Sequence, residues 1–402
     1  MGYKRMKVKH ELLPLTSMRF FLAAWVVLFH QTDWQPLSPS FLRILPAAIY
    51  DVLRTGYIAV GVFFVLSGFV LALNYSLAES WSKRSFLSFA VARFSRIYPV
   101  YVLGMFLVSP VILGPELFPF SPFGLARKLF SGTLNLLMVQ AWLPQAAVTW
   151  NSPGWSLSDE AFFYACFPIV GLWLWRMSGI RKCLGMLAVL WAAELALPMA
   201  AVLLPIAGFG DLPAVAAPSN TNLWASIVKY NPLLQLPLFL SGILTARIFL
   251  LLKDSRLRNR GYWLYVPGIL CGAVVISNAH RIPYPLLHNG LLLPSYCAVI
   301  LGFGLNGGMF AKLLSHRVVV FLGKASYSQY LLQYPARLLF VYLTRDRIAG
   351  VPGAALQFVL LLLMSSLAYR FLEEPAHQFL RKRGSSWVDG SSSPPRQSIV
   401  IG

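Results

Sequence analysis

Charge is what this chain has least of. Only 12% of its 402 residues are charged, where soluble domains carry about 25%. With 57% hydrophobic residues and a mean hydropathy of +0.64, a water-soluble globule is excluded. Acidic residues are the scarcest, 14 Asp and Glu against 34 Lys and Arg, for a formal net charge of +20. That excess invites a nucleic-acid partner. However, it is spread between apolar runs of about twenty residues, the length that crosses a bilayer core. Surplus Lys and Arg in that setting mark cytoplasmic loops, so the lipid bilayer is the expected partner and nucleic acid is not. Cysteine is nearly absent as well. Cys166, Cys183, Cys271 and Cys297 stand singly within apolar stretches. They read as small buried hydrophobes, with no disulfide framework and no metal site. Nor does a cleavable signal pattern open the chain, because Arg19 interrupts the first apolar run and no small-residue cleavage site follows directly.

What is present is a repeated spanning pattern. The fold class it implies is an all-α polytopic integral membrane protein, about ten transmembrane helices in one bundle with both termini cytoplasmic. The spans fall near residues 15–34, 56–78, 96–114, 154–175, 183–205, 232–252, 261–280, 289–310, 326–343 and 353–372. Residues 1–14 form a basic leader with Lys4, Arg5, Lys7 and Lys9, which stays inside and sends the first helix outward. This topology puts 25 of the 34 basic residues on the cytoplasmic side. Residues 15–383 are the transmembrane domain, and 384–402 has the composition of a disordered cytoplasmic tail. Two outward loops are long. In 115–153, NLLMVQAWLP reads as a short interfacial helix with Trp142 and Trp150 near the headgroups, and 206–231 reads as irregular. One short echo, FVLSGFVLA (64–72) against LFLSGILTA (238–246), is either a remnant repeat or a pair of close-packing Ser-Gly steps.

Few ionisable groups lie inside the spans, and each has two readings. In LTSMRFFLAAWVVLFHQ, Arg19 and His30 are eleven residues apart. That spacing returns them to within roughly 20° of one helix face, about 16 Å apart along the axis. Arg19 then sits at the inner interface and His30 near mid-depth. Taken singly, the first reads as a snorkelling anchor and the second as a satisfied core histidine. Together on one stripe they favour function, because an ionisable group at that depth is costly unless it faces protein or water. Gly61, Ser67 and Gly68 thin the second span, for close packing or for the approach of a ligand. Arg93 and Arg96, three apart, share a face at the cytoplasmic mouth, either solvated or forming an anion site with Arg19. In NSPGWSLSDEAFFYACFP, Ser156, Glu160 and Tyr164 line one stripe, and Asp159 lies on a neighbouring face. A helix-start role suits Asp159 better than Glu160. Ser326, Tyr330 and Gln333 share a face in LGKASYSQYLLQYP, and AYRFLEEPAHQFLRKR places Glu373 and Glu374 beside basic residues, as for a structural ion pair.

LTSMRFFLAAWVVLFH, GVFFVLSGF, RFSRIYP, WSLSDEAFFY, LGKASYSQYLLQYP and FLEEP occur in this order, spread over residues 12–383. Together they resemble the acyltransferase family 3 membrane proteins. The resemblance implies a multi-pass O-acyltransferase of the bacterial inner membrane. Its donor would be a cytoplasmic acyl-CoA, most often acetyl-CoA, and its acceptor a hydroxyl of a carbohydrate or lipid-linked glycan on the far side. Family proteins share the first-span arginine and histidine, here Arg19 and His30, the paired arginines, here Arg93 and Arg96, and a tryptophan–serine–leucine run with its glutamate, here Trp155, Ser156, Leu157 and Glu160. Two departures matter. Thr16-Ser17 replaces a frequent acidic-glycine pair, and the tail leaves no room for the esterase-like domain of some members, so their two-step relay is not carried over.

The roles expected are these. His30 and Glu160 are catalytic, His30 as general base or acyl carrier and Glu160 fixing its tautomer. Arg19, Arg93, Arg96, Gly61, Ser67 and Gly68 hold the donor, and Trp155, Ser156, Tyr164, Ser326 and Tyr330 hold the acceptor. No metal is required. The rival class is a transporter or flippase of an anionic or glycan-lipid substrate, with the same residues as a proton relay. Release of free CoA from acetyl-CoA separates the two.

Overall fold

The structure is a computed structural model that describes residues 12–33, 42, 44–75, 81–114, 122–204, 210, 212–216, 222–305, 308–345 and 347–380. Among them the chain is helical, without strands beyond one isolated bridge between Pro213 and Pro283. In chain order the helices are α1 (Leu13–Asp33), α2 (Ala47–Arg54), α3 (Ala59–Asn74), α4 (Lys83–Leu113), α5 (Pro122–Leu136), α6 (Trp155–Trp175), α7 (Ile180–Leu203) and α8 (Leu223–Tyr230). They continue with α9 (Pro232–Leu252), α10 (Tyr262–Ile276), α11 (Tyr284–His288), α12 (Leu293–Gly304), α13 (Gly308–Leu314), α14 (Arg317–Lys324), α15 (Ser326–Thr344) and α16 (Gly350–Ala368). Among the described residues, eight helical stretches are long and apolar enough to cross a membrane. The protein is therefore an all-helical, multi-pass membrane protein. All ten expected spans coincide with helices, but two lack the signature of a free-standing span. The first, α10, has 15 residues, about 22 Å of rise against a core of about 30 Å. The second, α15, buries Ser326, Ser328, Gln329 and Gln333. Its polarity is affordable because those side chains face protein rather than lipid.

The centre of the bundle is the crossing of α3 and α9. Their stretches are 72% and 67% buried, against 22% for the peripheral α7. A Cβ on Gly68 would stand 2.0 Å from the Phe239 carbonyl oxygen, and one on Gly242 would stand 2.0 Å from that of Val65. The two halves of the sequence echo thus meet each other, and their glycines are what lets the backbones touch. A second close approach seats α14 on α1, where a Cβ on Gly323 would stand 2.1 Å from the Thr16 carbonyl oxygen. Beside it the Ser17 hydroxyl donates to the Leu314 carbonyl. Thr16 and Ser17 are used in packing, and no carboxylate is needed before Arg19.

The stretch 135–154 differs from its expected place at the headgroups. Gln140 and Asn151 are 0% and 1% exposed. Tyr101 donates to the Asn135 carbonyl at 2.8 Å, Gln140 Nε2 donates to the Gly154 carbonyl at 2.9 Å, and Asn151 Nδ2 reaches the Leu331 carbonyl at 3.0 Å. Positive φ at Met138 (56°) and Trp150 (61°) marks its two tight reversals. The segment dips between α4 and α15, because irregular backbone can be buried only where protein groups satisfy it. Trp142 stays part-exposed, while Trp150 is tied to Ser131 Oγ at 3.1 Å. In consequence α6 starts deep inside the protein.

The crossing can be tested by its glycines. Gly68→Ala should lower the melting temperature of the detergent-solubilised protein by the equivalent of about 1–3 kcal/mol of overpacking. Gly185→Ala on α7, where a Cβ meets nothing within 4 Å, should leave it unchanged or slightly raised. Equal melting for Gly68→Ala and wild type would refute the tight crossing.

Candidate functional site

Five helices converge on one internal cavity of about 120 Å³. Arg19 enters from α1 and Ser67 from the face of α3 adjoining Gly68. Arg93 and Arg96, one helical turn apart, enter from α4. Ser156, Glu160 and Tyr164, spaced by four, enter from α6, and Ser326, Tyr327 and Tyr330 from α15. Helical periodicity explains each set, since residues three or four apart share a face. Apolar walls come from Phe63, Phe64 and Leu157 among others.

Three guanidiniums here face two carboxylates. Arg96 Nη1 lies 3.3 Å from Glu373 Oε1, and Ser328 Oγ donates to Glu373 Oε2 at 2.5 Å. Glu373 is fully buried because Tyr369–Glu373 is a π-helical turn that rotates the end of α16 inward. Glu160 accepts from the Tyr164 hydroxyl at 2.9 Å and lies within electrostatic reach of Arg19, Arg93 and Arg96. Arg93 donates to the Tyr75 hydroxyl at 3.1 Å. Among the described residues, Arg93 Nε and Arg96 Nη2 are buried donors without a hydrogen-bond partner. Such orphaned charged donors are uncommon and match the oxygens of an anion. No group of three His, Cys, Asp or Glu side chains among the described residues could hold a metal ion.

At the cavity's edge the Ser156 and Tyr330 hydroxyls pair at 3.0 Å. About 16 Å along α1 from Arg19 comes His30, and about 10 Å along α15 from Ser326 comes Gln333. They meet, with His30 Nδ1 2.8 Å from Gln333 Oε1. Gln333 Nε2 is spent on the Tyr330 carbonyl at 2.8 Å, which fixes the amide so that Oε1 faces the imidazole. His30 Nδ1 therefore carries the proton and donates it, which leaves the lone pair on Nε2.

This corrects the expected pairing of His30 with Glu160. Gln333 is the side chain that meets His30 Nδ1, while Glu160 lies among the arginines. The buried 135–154 segment leads directly into α6, and Glu160 lies within electrostatic reach of Arg19. Three other expected residues lie off the cavity wall. Gly68 packs on α9, and a Cβ on Gly61 would meet Tyr296 and Leu238 at 3.2 and 3.6 Å, so both glycines serve helix contacts. Trp155 turns the other way, its ring 5.0 Å from that of Tyr230. Asp159, fully buried, has both carboxylate oxygens unpartnered among the described residues and caps nothing. Glu373 is ion-paired, as the sequence suggested for the FLEEP acids, but nothing in the spacing tells that a π turn will aim it at Arg96.

Breaking a buried pair costs about 3–5 kcal/mol when one charge is left alone. Glu373→Gln should therefore lower the melting temperature sharply, whereas Glu374→Gln, beside it and less buried, should not. Matching melting curves for the two variants would show that the pair does not hold the end of α16.

The sequence profile of the "Acyltransferase domain" family matches residues 15–370. Over 280 residues the chain is 31% identical to "Acyltransferase MdmB" of Streptomyces mycarofaciens, covering 68% of this chain and 64% of that protein. It is 26% identical over 347 residues to "O-acetyltransferase OatA" of Staphylococcus aureus, covering 83% of this chain and 54% of the relative. The matches thus span somewhat over half of these curated relatives. No solved structure matches. With a profile match that runs through nearly every helix lining the cavity, the chain belongs to the acyltransferase family of multi-pass membrane proteins.

Proposed function

We propose that the protein is an O-acyltransferase of the bacterial inner membrane, with both termini cytoplasmic. It moves an acyl group, acetyl foremost, from a cytoplasmic acyl-CoA to a hydroxyl of a carbohydrate or lipid-linked glycan on the far side. One observation carries the proposal. A cavity lined by Arg19, Arg93 and Arg96, in which Arg93 Nε and Arg96 Nη2 have no hydrogen-bond partner among the described residues, lies to one side of His30, whose Nδ1 meets Gln333 Oε1.

The donor side fits what the cavity offers. Arg93 and Arg96 supply buried charge-assisted donors to phosphate oxygens, and Arg19 adds a third positive charge. Glu160 and Glu373 hold these guanidiniums in place and limit the excess charge when the cavity is unfilled. The bound donor supplies a thioester carbonyl as electrophile. His30 Nε2 takes the proton of the acceptor hydroxyl while the acceptor oxygen bonds to that carbonyl carbon. As the carbon–sulfur bond breaks, His30 returns the proton to the departing sulfur. Gln333 keeps the imidazole in the required tautomer without adding a counter-charge, which a carboxylate would have added.

Membranes bearing the protein should release free thiol from acetyl-CoA and move labelled acetyl into a glycan or lipid fraction. His30→Ala should abolish both, and wild-type rates in that variant would reject the mechanism. Arg93→Ala or Arg96→Ala should raise the donor KM roughly ten- to a hundredfold, the loss of one charged contact of about 1.5–3 kcal/mol. If only the acceptor KM moved, the arginines would not bind the donor.

Gln333→Leu should lower kcat roughly a hundredfold with little change in donor KM, in keeping with general-base contributions of about 10²–10⁴. Gln333→Glu should recover part of the loss, because it restores an acceptor for Nδ1–H. Glu160→Gln should instead act on donor KM. A kcat loss for Glu160→Gln as large as that for Gln333→Leu would return the orienting role to Glu160.

A further inference from the structure

A second concavity, of about 310 Å³, lies at the turn that joins α6 to α7, lined by Trp173, Arg176, Met177, Ser178 and Lys182. It is remote from the arginine cavity, since Arg176 follows Tyr164 by about 18 Å of rise along α6. The turn is held in shape. Gly179, at φ 92°, reverses the chain in a conformation that a side chain would strain. Arg247 of α9 braces the turn, its Nε donating to the Met177 carbonyl at 3.4 Å and its guanidinium 5.4 Å from the Trp175 ring centre. α6 and α7 both pack on α9 rather than on each other. The Trp81 ring, just before α4, stands 5.7 Å from that of Phe167. The turn therefore lies at the end of the bundle where α3 finishes and α4 begins, the end read as cytoplasmic.

We infer that this groove holds the phosphate of an anionic phospholipid from the bilayer around the protein. Arg176 and Lys182 face it from the two sides of the turn, and no acidic residue lines it. A guanidinium grips phosphate oxygens in pairs, and an ammonium adds a point charge. Ser178 supplies a hydroxyl donor. α7 begins at the turn with no side chain capping its first N–H groups, so its dipole adds positive potential at the same spot. The apolar border points to a lipid instead of a free phosphate. Trp173 is 55% exposed, and Ile169, one turn earlier on the same face of α6, is 76% exposed. An apolar track thus leads from the basic groove onto the surface that faces lipid. On α7 a Cβ at Gly185, three residues after Lys182, would meet nothing within 4 Å, which leaves room for an acyl chain. Trp173 suits that depth, where indole rings straddle headgroups and chains. Basic pockets of this kind between membrane helices are where anionic headgroups bind, whereas a merely solvated basic loop has neither a concavity nor a bordering indole.

The site is tested on the wild-type protein in an uncharged detergent, titrated with phosphatidylglycerol or with phosphatidylcholine of the same chains. Bound lipid is read by native mass spectrometry. Phosphatidylglycerol should bind at least tenfold more tightly than phosphatidylcholine. Arg176→Gln with Lys182→Gln should abolish that preference. Arg256→Gln with Arg260→Gln, an equal loss of charge on the loop after α9, should change it less than twofold. All four side chains are exposed, so neither double variant disturbs the fold. Equal losses in the two double variants would reduce the effect to general surface charge and overturn the site, as would equal binding of the two lipids by the wild type. Inorganic phosphate and acetyl-CoA serve as competitors, and neither should displace phosphatidylglycerol at equal concentration. Displacement by either would overturn the lipid assignment and make the groove a site for a soluble phosphate. These readouts need no acyl transfer, so their failure is separate from any failure of the reading of the arginine cavity.

Discussion

The interior of this bundle depends on one constraint: a charge inside an apolar protein must meet another charge. Arg19, Arg93 and Arg96 cannot face lipid at their positions in α1 and α4, so the fold must bring carboxylates to them. Glu160 comes from α6 and Glu373 from the π turn after α16. Helices far apart in sequence are thereby pinned to one point. Among the described residues Arg93 Nε and Arg96 Nη2 remain buried N–H groups without a hydrogen-bond partner, a chemistry that matches the oxygens of an anion.

Two helices act as rulers above that point. Along α1 the spacing from Arg19 to His30 separates the arginine cavity from the imidazole, and along α15 the spacing from Ser326 to Gln333 does the same. The ladder of hydroxyl and amide contacts between them, Ser156 to Tyr330 and Tyr330 to Gln333, joins the cavity to the histidine. A polar helix such as α15 is tolerable only because its neighbours on several sides are protein, and its weak resemblance to a span follows from that burial. The close crossing at Gly68 and Gly242 holds the cavity wall, since Ser67 and Phe64 line the cavity from the same helix whose other face packs on α9.

The local chemistry of the chain was legible without coordinates. Scarce charge, apolar runs of spanning length and the three- and four-residue spacing of Arg93 with Arg96 and of Ser156, Glu160 and Tyr164 follow from helix geometry alone. They implied an all-helical membrane bundle and singled out nine of the cavity's polar and charged residues, though as separate donor, catalytic and acceptor groups rather than as one lining. Arg19 and His30 on one stripe also follow from periodicity, because a helix is a rigid ruler within itself.

Which helix faces which is not a property of any single stretch, and there only the tertiary structure decided. Contacts between distant helices bring Glu160 among the arginines and Gln333 to His30, which no periodicity records. The π turn that aims Glu373 at Arg96 and the use of Gly61 and Gly68 for packing are likewise contacts between distant segments. The sequence by itself determined the periodic faces of its helices, since those arise from bonds between neighbours four residues apart. Depth and partnership were decided in the folded bundle, where buried polar groups must find one another across hundreds of residues.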